Sequence, residues 1–258
     1  VQRLAATQAP DVHVGFDGET VRLWVVSDTG MIHDLARRLA SVSVLIADGH
    51  HRFEVAWSQR ARSPAVMSYF VSMADPALRV RPIHRVVQGP GRSDPQALRA
   101  FCTVEPAEDL GSLTGWLGRD DAAEGTSGRF GYWDGRTLFR ISVTPDALAR
   151  WLMAPTVPLP LAALDVSILH GWLWPQLGVD QHRVTYAATV SEAMRAVPGP
   201  GGGSAWLLRG IPLAQVFALA AQGFTLPPKS TYFYPKVLSG LVINSFTPSR
   251  VVGGSRDS

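Results

Sequence analysis

The sequence predicts an α+β fold of mixed sheets with packed helices. Short apolar runs alternate with polar residues at period two, stretches of helical periodicity lie between them, and turn residues mark the junctions. With 258 residues, 46% hydrophobic and 17% charged, the chain can bury one large core or two small ones. That composition excludes a disordered or collagen-like chain.

The chain opens on Val1 and runs at once into Gln2-Arg3-Leu4-Ala5-Ala6, which looks like the end of a helix, so further residues are expected upstream. Residues 12–16 and 20–26 read as two strands joined by Asp17-Gly18, a favoured hairpin pair. Residues 32–39 read as a helix, with Leu35 and Leu39 four apart and Arg37-Arg38 near its end. The apolar run 42–47 reads as a strand that feeds a helix from Phe53 to about Arg60, and Ser63-Pro64 ends that helix. Two more strands are expected at 65–73 and 78–87. Residues 89–126, richer in Gly, Asp, Pro and Ala, read as a peripheral segment or linker with helical stretches at 95–101 and 110–117.

A second hairpin is expected from 129–132 and 138–143 around Trp133-Asp134-Gly135-Arg136, followed by a helix at 145–152 capped by Thr144. Residues 161–174 form a hydrophobic helix whose ionisable groups are Asp165 and His170. Burying a lone charge is costly, so Asp165 is expected to hydrogen-bond, and His170 reads as a satisfied core histidine. A strand at 183–187, a helix at 191–197, a loop at 198–203, a strand at 205–209 and a helix at 211–222 complete the pattern.

Chemistry concentrates in two places. The first is Ala47-Asp48-Gly49-His50-His51-Arg52-Phe53-Glu54, between the expected strand and helix. Gly49 lets the backbone turn, Asp48 can cap the first helical turn, and the free N–H groups with His50, His51 and Arg52 address one small volume suited to phosphate. Glu54, one turn after His50, reads as a base or metal ligand, or as a capping or ion-pairing residue. His84-Arg85 is a second His-Arg pair, read either as a ligand pair beside the turn or as a partly buried histidine with a surface arginine. The other place is Pro227-Pro228-Lys229-Ser230-Thr231-Tyr232-Phe233-Tyr234-Pro235-Lys236. Prolines at both ends hold an extended segment, and lysines beside hydroxyls suit phosphate or carboxylate; the alternative is an arm that packs its aromatics and leaves its lysines in water.

The Asp-Gly-His-His-Arg turn resembles the Gly-x-His-Arg signature of the ParB/sulfiredoxin superfamily, whose members hold nucleotide phosphates there. Together with Pro82-Ile83-His84-Arg85, the 164–170 stretch Leu-Asp-Val-Ser-Ile-Leu-His and the 227–236 motif, it resembles the family of bacterial and archaeal proteins called domain of unknown function 1015, from near residue 1 to about Asn244. The superfamily link implies a ParB/sulfiredoxin-like core plus a second α+β lobe, and chemistry like that of free-serine kinases. Sulfiredoxin has a cysteine where this chain has His50, so sulfinic-acid reduction is not expected. The helix-turn-helix of partition proteins is not found either.

The resulting expectation is a nucleotide-binding small-molecule phosphotransferase using ATP or ADP and Mg²⁺. Gly49, His50, His51, Arg52, His84 and Arg85 would bind the cofactor; Asp48, Glu54 and His51 would serve catalysis, with Asp48 carrying the metal; Lys229, Ser230, Thr231 and Lys236 would bind the acceptor. The alternatives are a non-catalytic nucleotide or nucleic-acid binding module, and a metal-dependent hydrolase using His50, His51, His84 and Asp48, for which no His-x-x-x-His spacing speaks. The expected division is a phosphate-binding core at 1–90, a second lobe at 91–222, the arm at 223–246 packing back on the site, and a flexible tail at 247–258.

A net charge of +3 is scattered as single arginines, so a small-molecule anion is expected and nucleic acid is not. One cysteine, Cys102, points to a reducing cytoplasm, and no apolar stretch reaches membrane-spanning length. Oligomeric state and acceptor identity are not encoded in these patterns.

Overall fold

Strands in this chain form where alternating apolar residues find a neighbour to ladder with, and the computed structural model describes residues 2–16, 19–89, 95–118 and 127–244. The fold is α+β, and it divides into two units, Val1–Ile46 and Ala47–Ser258. Residues 84–88 pair into the main sheet of the second unit.

In the first unit, helix α1 (Gln2–Thr7) precedes an antiparallel hairpin of β1 (Val12–Phe16) and β2 (Glu19–Leu23), with Val12 opposite Leu23 and Val14 opposite Val21. The expected Asp17-Gly18 turn lies outside the described residues. After Leu23 the ladder gives way to side-chain bonds: Trp24 Nε1 donates to the Gln8 carbonyl at 3.1 Å and the Val25 N–H to Asp11 at 2.7 Å. Helix α2 (Thr29–Leu39) begins three residues earlier than the periodicity predicts, because Asp28 accepts from the Met31 N–H at 2.7 Å and caps it.

Two expected strands do not form. Residues 42–47 and 65–73 have strand-like sequences but lie in no ladder, and Val42, Val44, Val66, Met67, Tyr69 and Phe70 are exposed. Apolar alternation makes a strand only where a second backbone satisfies its N–H and C=O groups. No described segment does so here.

The second unit starts with α3 (His50–Ser58) and is built on a six-stranded antiparallel sheet. Its members are β4 (His84–Gln88), β5 (Cys102–Pro106), β6 (Arg129–Trp133), β7 (Leu138–Val143), β8 (Val184–Ala187) and β9 (Gly203–Leu207), in the order β5-β7-β6-β9-β4-β8. The expected strand at 78–87 is two strands in two sheets. Between β3 (Arg79–Arg81) and β4 stands Pro82, which has no N–H to donate to a ladder. β3 pairs instead with β10 (Tyr232–Tyr234), Val80 opposite Phe233.

Successive side chains of a strand point to opposite faces, and both faces of this sheet are covered. Trp206 and Val87 lie in one buried cluster with Phe130, Tyr132, Ile141 and Trp174, while Ala205, Leu207 and Val86 lie in another with Leu113 and Ala193. The first face carries α6 (Pro145–Met153), α7 (Leu159–Ala162) and the 165–177 run; the second carries α5 (Leu110–Leu117) and α10 (Val190–Arg195). Helices α4 (Pro95–Leu98) and α11 (Leu213–Ala221) complete the set.

Residues 95–118 are therefore not peripheral: Leu98 and Leu113 are fully buried, and β5 is an edge strand whose Glu105 and Pro106 hid it from pattern reading. The Thr144 hydroxyl makes no cap for α6; it bonds the Phe101 carbonyl at 3.2 Å. The single helix expected at 161–174 is broken into α7, α8 (Asp165–Ile168), a π turn (Leu169–Leu173) and α9 (Trp174–Leu177). Among the described residues, no helix is long and apolar enough to cross a membrane.

Candidate functional site

The turn before α3 has the geometry that its glycine predicts. Gly49 sits at φ +84°, in the left-handed region that side chains disfavour, and the Asp48 carboxylate accepts from the Gly49 N–H at 2.9 Å. A Cβ at Gly49 would also come within 3.0 Å of the Arg52 guanidinium. The first helical bond runs from the Phe53 N–H to the Gly49 carbonyl, and no side chain caps the helix. The N–H groups of His50, His51 and Arg52 therefore keep the unsatisfied positions that every helix start leaves, where an anion is stabilised.

Asp48 is the meeting point of the two motifs. Its Oδ2 lies 3.2 Å from Lys236 Nζ, across 188 positions of sequence, and 3.6 Å from Arg52 Nη2. Partial burial alone would raise the Asp48 pKa, but the Lys236 bond and charge, the Gly49 N–H and Arg52 outweigh it and hold the carboxyl below its usual range. Lys236 Nζ also lies 4.8 Å from the centre of the Tyr232 ring. His51 and Glu54 pair with each other instead, at 3.4 Å. At 3.6 residues per turn, Glu54 and Arg52 point about 160° apart around α3.

The rest of the arm is fixed elsewhere. Ser230 is buried and its hydroxyl donates to the Pro227 carbonyl at 2.5 Å, while Lys229 lies 5.8 Å from the Tyr186 ring centre. The Lys229 carbonyl accepts from Arg85 Nη2 at 2.8 Å. Thus Lys229 and Lys236, read from sequence as one acceptor-binding group, have different partners. Thr231 is half-buried beside them in sequence, with no side-chain bond among the described residues.

Neither His84 nor Arg85 presents itself to solvent: Arg85 is only 1% exposed. The His84 Nδ1 accepts from the Leu208 N–H at 3.2 Å, which puts its proton on Nε2. Burial first, and the Arg85 charge second, lower the His84 pKa to about 4, against a smaller opposing effect of Glu192. Arg85 donates from Nε to His170 Nε2 at 3.1 Å and from Nη1 to the Ile83 carbonyl. The His170 proton is then on Nδ1, which donates to Gln181 Oε1 at 3.0 Å, while Gln181 Nε2 returns a bond to the His170 carbonyl at 2.9 Å. Burial lowers the His170 pKa to about 4 despite the Gln181 bond.

A metal ion finds no donor set here. Among the described residues no three His, Cys, Asp or Glu side chains cluster, and the Asp48 oxygens already face a backbone N–H and an ammonium. The residues present do not fit a protein-held Mg²⁺, nor the hydrolase centre of His50, His51, His84 and Asp48.

With this geometry in hand, comparison with known proteins gives one family. The model of the family described as "Protein of unknown function (DUF1015)" matches residues 1–167. The chain belongs to the DUF1015 family. Among curated proteins, none matches the sequence. Among solved structures, a mutant free serine kinase in complex with ADP is similar at 14% identity and TM-score 0.38, over 72% of this chain and 66% of that one. A free serine kinase in complex with AMP is similar at 14% identity and TM-score 0.36, over 81% and 80%. The chain thus spans just under two thirds of the first of these, and nothing about its ligand rests on that likeness.

In this DUF1015 chain the family match takes in Asp48–Arg52 and His84-Arg85 but ends before Lys229 and Lys236. Sequence reading missed Tyr186 and Gln181, for which no local motif gave a signal, and set His170 aside as a core residue. His170 is a satisfied histidine, and it is also what holds Arg85.

The two depressed imidazoles carry a pH prediction. Both are neutral in the native state, whereas an unfolded histidine titrates near 6.5. Below that pH the unfolded chain takes up protons that the native one refuses, so stability is present above about 6.5 and is lost as pH falls toward 4. The melting temperature should be level near pH 7.5 and fall between pH 6.5 and 5, before most carboxylates titrate. A level melting temperature down to pH 5 would contradict the neutral assignment.

Proposed function

We propose that this DUF1015 protein binds nucleotide phosphates at the 48–52 turn and uses them in a small-molecule phosphoryl transfer, with ATP or ADP as donor. What carries the reading is the return of the C-terminal arm onto the turn, with Lys236 Nζ 3.2 Å from Asp48 Oδ2. Arg52 and Lys236 then flank a carboxylate that is ionised at neutral pH, and the uncapped start of α3 follows it in the chain. That is a set of donors for phosphate oxygens beside a proton acceptor.

In this reading the acceptor hydroxyl oxygen attacks the terminal phosphorus and the bond from phosphorus to the leaving nucleotide oxygen breaks. The hydroxyl proton passes to Asp48. Arg52 and Lys236 neutralise the oxygens of the transferred group, and no step is routed through a metal. Asp48 rather than Glu54 or His51 takes the base's role, because those two are turned to each other.

One observation favours a second reading, a binding module without turnover. The turn is open: the Arg52 side chain is 81% exposed, and transfer in competition with water requires a dry site. A thermal-shift series with ATP, ADP and AMP, with and without Mg²⁺, tests for a nucleotide that prefers the native state. Asp48→Asn then separates the readings. Binding kept and transfer lost assigns the carboxylate to chemistry, whereas tight binding by the unaltered protein with no transfer to any hydroxylated acceptor assigns the module.

A further inference from the structure

Lysine and arginine together number 24 in this chain, and only two of them, Lys229 and Lys236, are lysine. Everywhere else a cation is needed the chain uses arginine. An ammonium differs from a guanidinium in being a compact point charge with three donors rather than a planar fork. Both ammonium groups fall within one ten-residue motif, 227–236. Lys236 has a carboxylate partner, Asp48. Among the described residues Lys229 has none, and its side chain is exposed.

Lys229 is also held with unusual care. Its backbone is at φ +59°, the left-handed region that a residue other than glycine seldom adopts. The Lys229 carbonyl is bonded by Arg85, whose guanidinium is itself set by His170 and the Ile83 carbonyl. All three acceptors are neutral, and no carboxylate among the described residues pairs with Arg85. Burying a guanidinium without a counter-ion is costly to the fold. Arg85 lies 5.6 Å and Lys229 5.8 Å from the centre of the same Tyr186 ring. Two cations thus sit near one half-exposed aromatic ring, one of them buried and one presented to solvent.

We propose that Lys229 is an oxyanion anchor separate from the Asp48–Lys236 pair, positioned through its carbonyl by the buried Arg85–His170 pair, and that it takes the carboxylate or phosphate of a small anionic ligand. Arg85 touches no ligand; it is a positioning residue that fixes the left-handed backbone through the Lys229 carbonyl and adds an unneutralised positive charge near the Tyr186 ring. This proposal does not require a nucleotide at the 48–52 turn. If phosphoryl transfer is the reaction, the ligand at Lys229 is an acceptor that carries its own acidic group.

Because the chain has two lysines, each can be followed by itself. Protein grown with lysine labelled by ¹³C at Cε gives two side-chain signals, assigned through Lys229→Arg and Lys236→Arg. Inorganic phosphate and, separately, acetate are titrated at constant ionic strength set with chloride. The Lys229 signal should shift saturably with at least one of the two, half-saturating at about 10 mM or below, and the arm that saturates names phosphate or carboxylate as the ligand group. Tyr186→Leu, a change at a half-exposed ring, should weaken that saturation severalfold while the Lys236 signal stays in place. Arg85→Lys should do the same if it folds; Tyr186→Leu keeps the test decisive if it does not. A Lys229 shift that is linear in both anions and equal to that of chloride overturns the proposal. ATP shifting Lys236 without Lys229 saturating would overturn this inference and leave the nucleotide reading standing; the reverse pattern would do the opposite.

Discussion

The Asp165→Ala protein should lose about 3–5 kcal/mol of stability, the cost typical of breaking a buried ion pair from one side. Asp165 receives Arg209 in a two-point contact, Nε at 2.7 Å and Nη2 at 3.0 Å, and also accepts from the Gly128 N–H at 2.7 Å. The carboxylate is 11% exposed and stands in the first turn of α8, where the helix N-terminus favours negative charge. Removing it takes the two-point carboxylate contact from Arg209 and the acceptor from the Gly128 N–H, which lies beside Val143 and Ile168. For a domain of this size the loss corresponds to a fall in melting temperature of about 10 °C. Asp165→Asn, which keeps an acceptor, should fall less. A melting temperature within about 2 °C of the unaltered protein would show that the contact carries little of the fold.

Arg52→Ala should do the reverse, leaving the fold intact and taking nucleotide binding away. Its side chain is largely in water, and its ionic neighbour is Asp48 at 3.6 Å, so its contribution to stability should lie within about 0.5 kcal/mol. Toward a phosphate it is the guanidinium that closes over Gly49, and losing a charge-assisted bond of about 1.5–3 kcal/mol weakens binding about tenfold to a hundredfold. Calorimetric titration with the nucleotide that gives the largest thermal shift measures it. Unchanged affinity in a well-folded Arg52→Ala protein removes the turn from the site.

The contrast between these substitutions shows where sequence reading was strong. Asp165 was legible because a lone carboxylate among Leu, Ile, Val and Trp must find a partner; that the partner is Arg209 was not, since 44 residues separate them. Gly49 and the β6–β7 hairpin were legible for the same local reason, a turn that only certain residues make. Strands at 42–47 and 65–73 were misread because alternation describes the side chains of one segment and says nothing about a second backbone. β5 was missed for the opposite cause: an edge strand tolerates Glu and Pro.

The sequence by itself determined the α+β class, the family and the left-handed turn at Gly49, because these follow from local patterns of residue type. Only the tertiary structure decided that Lys236 goes to Asp48 while Lys229 goes to Tyr186, and that Arg85 is a buried brace rather than a surface ligand. Partners 144 and 188 positions apart are chosen by how the sheet and arm pack, and burial, which sets the charge of each imidazole, is a property of that packing alone.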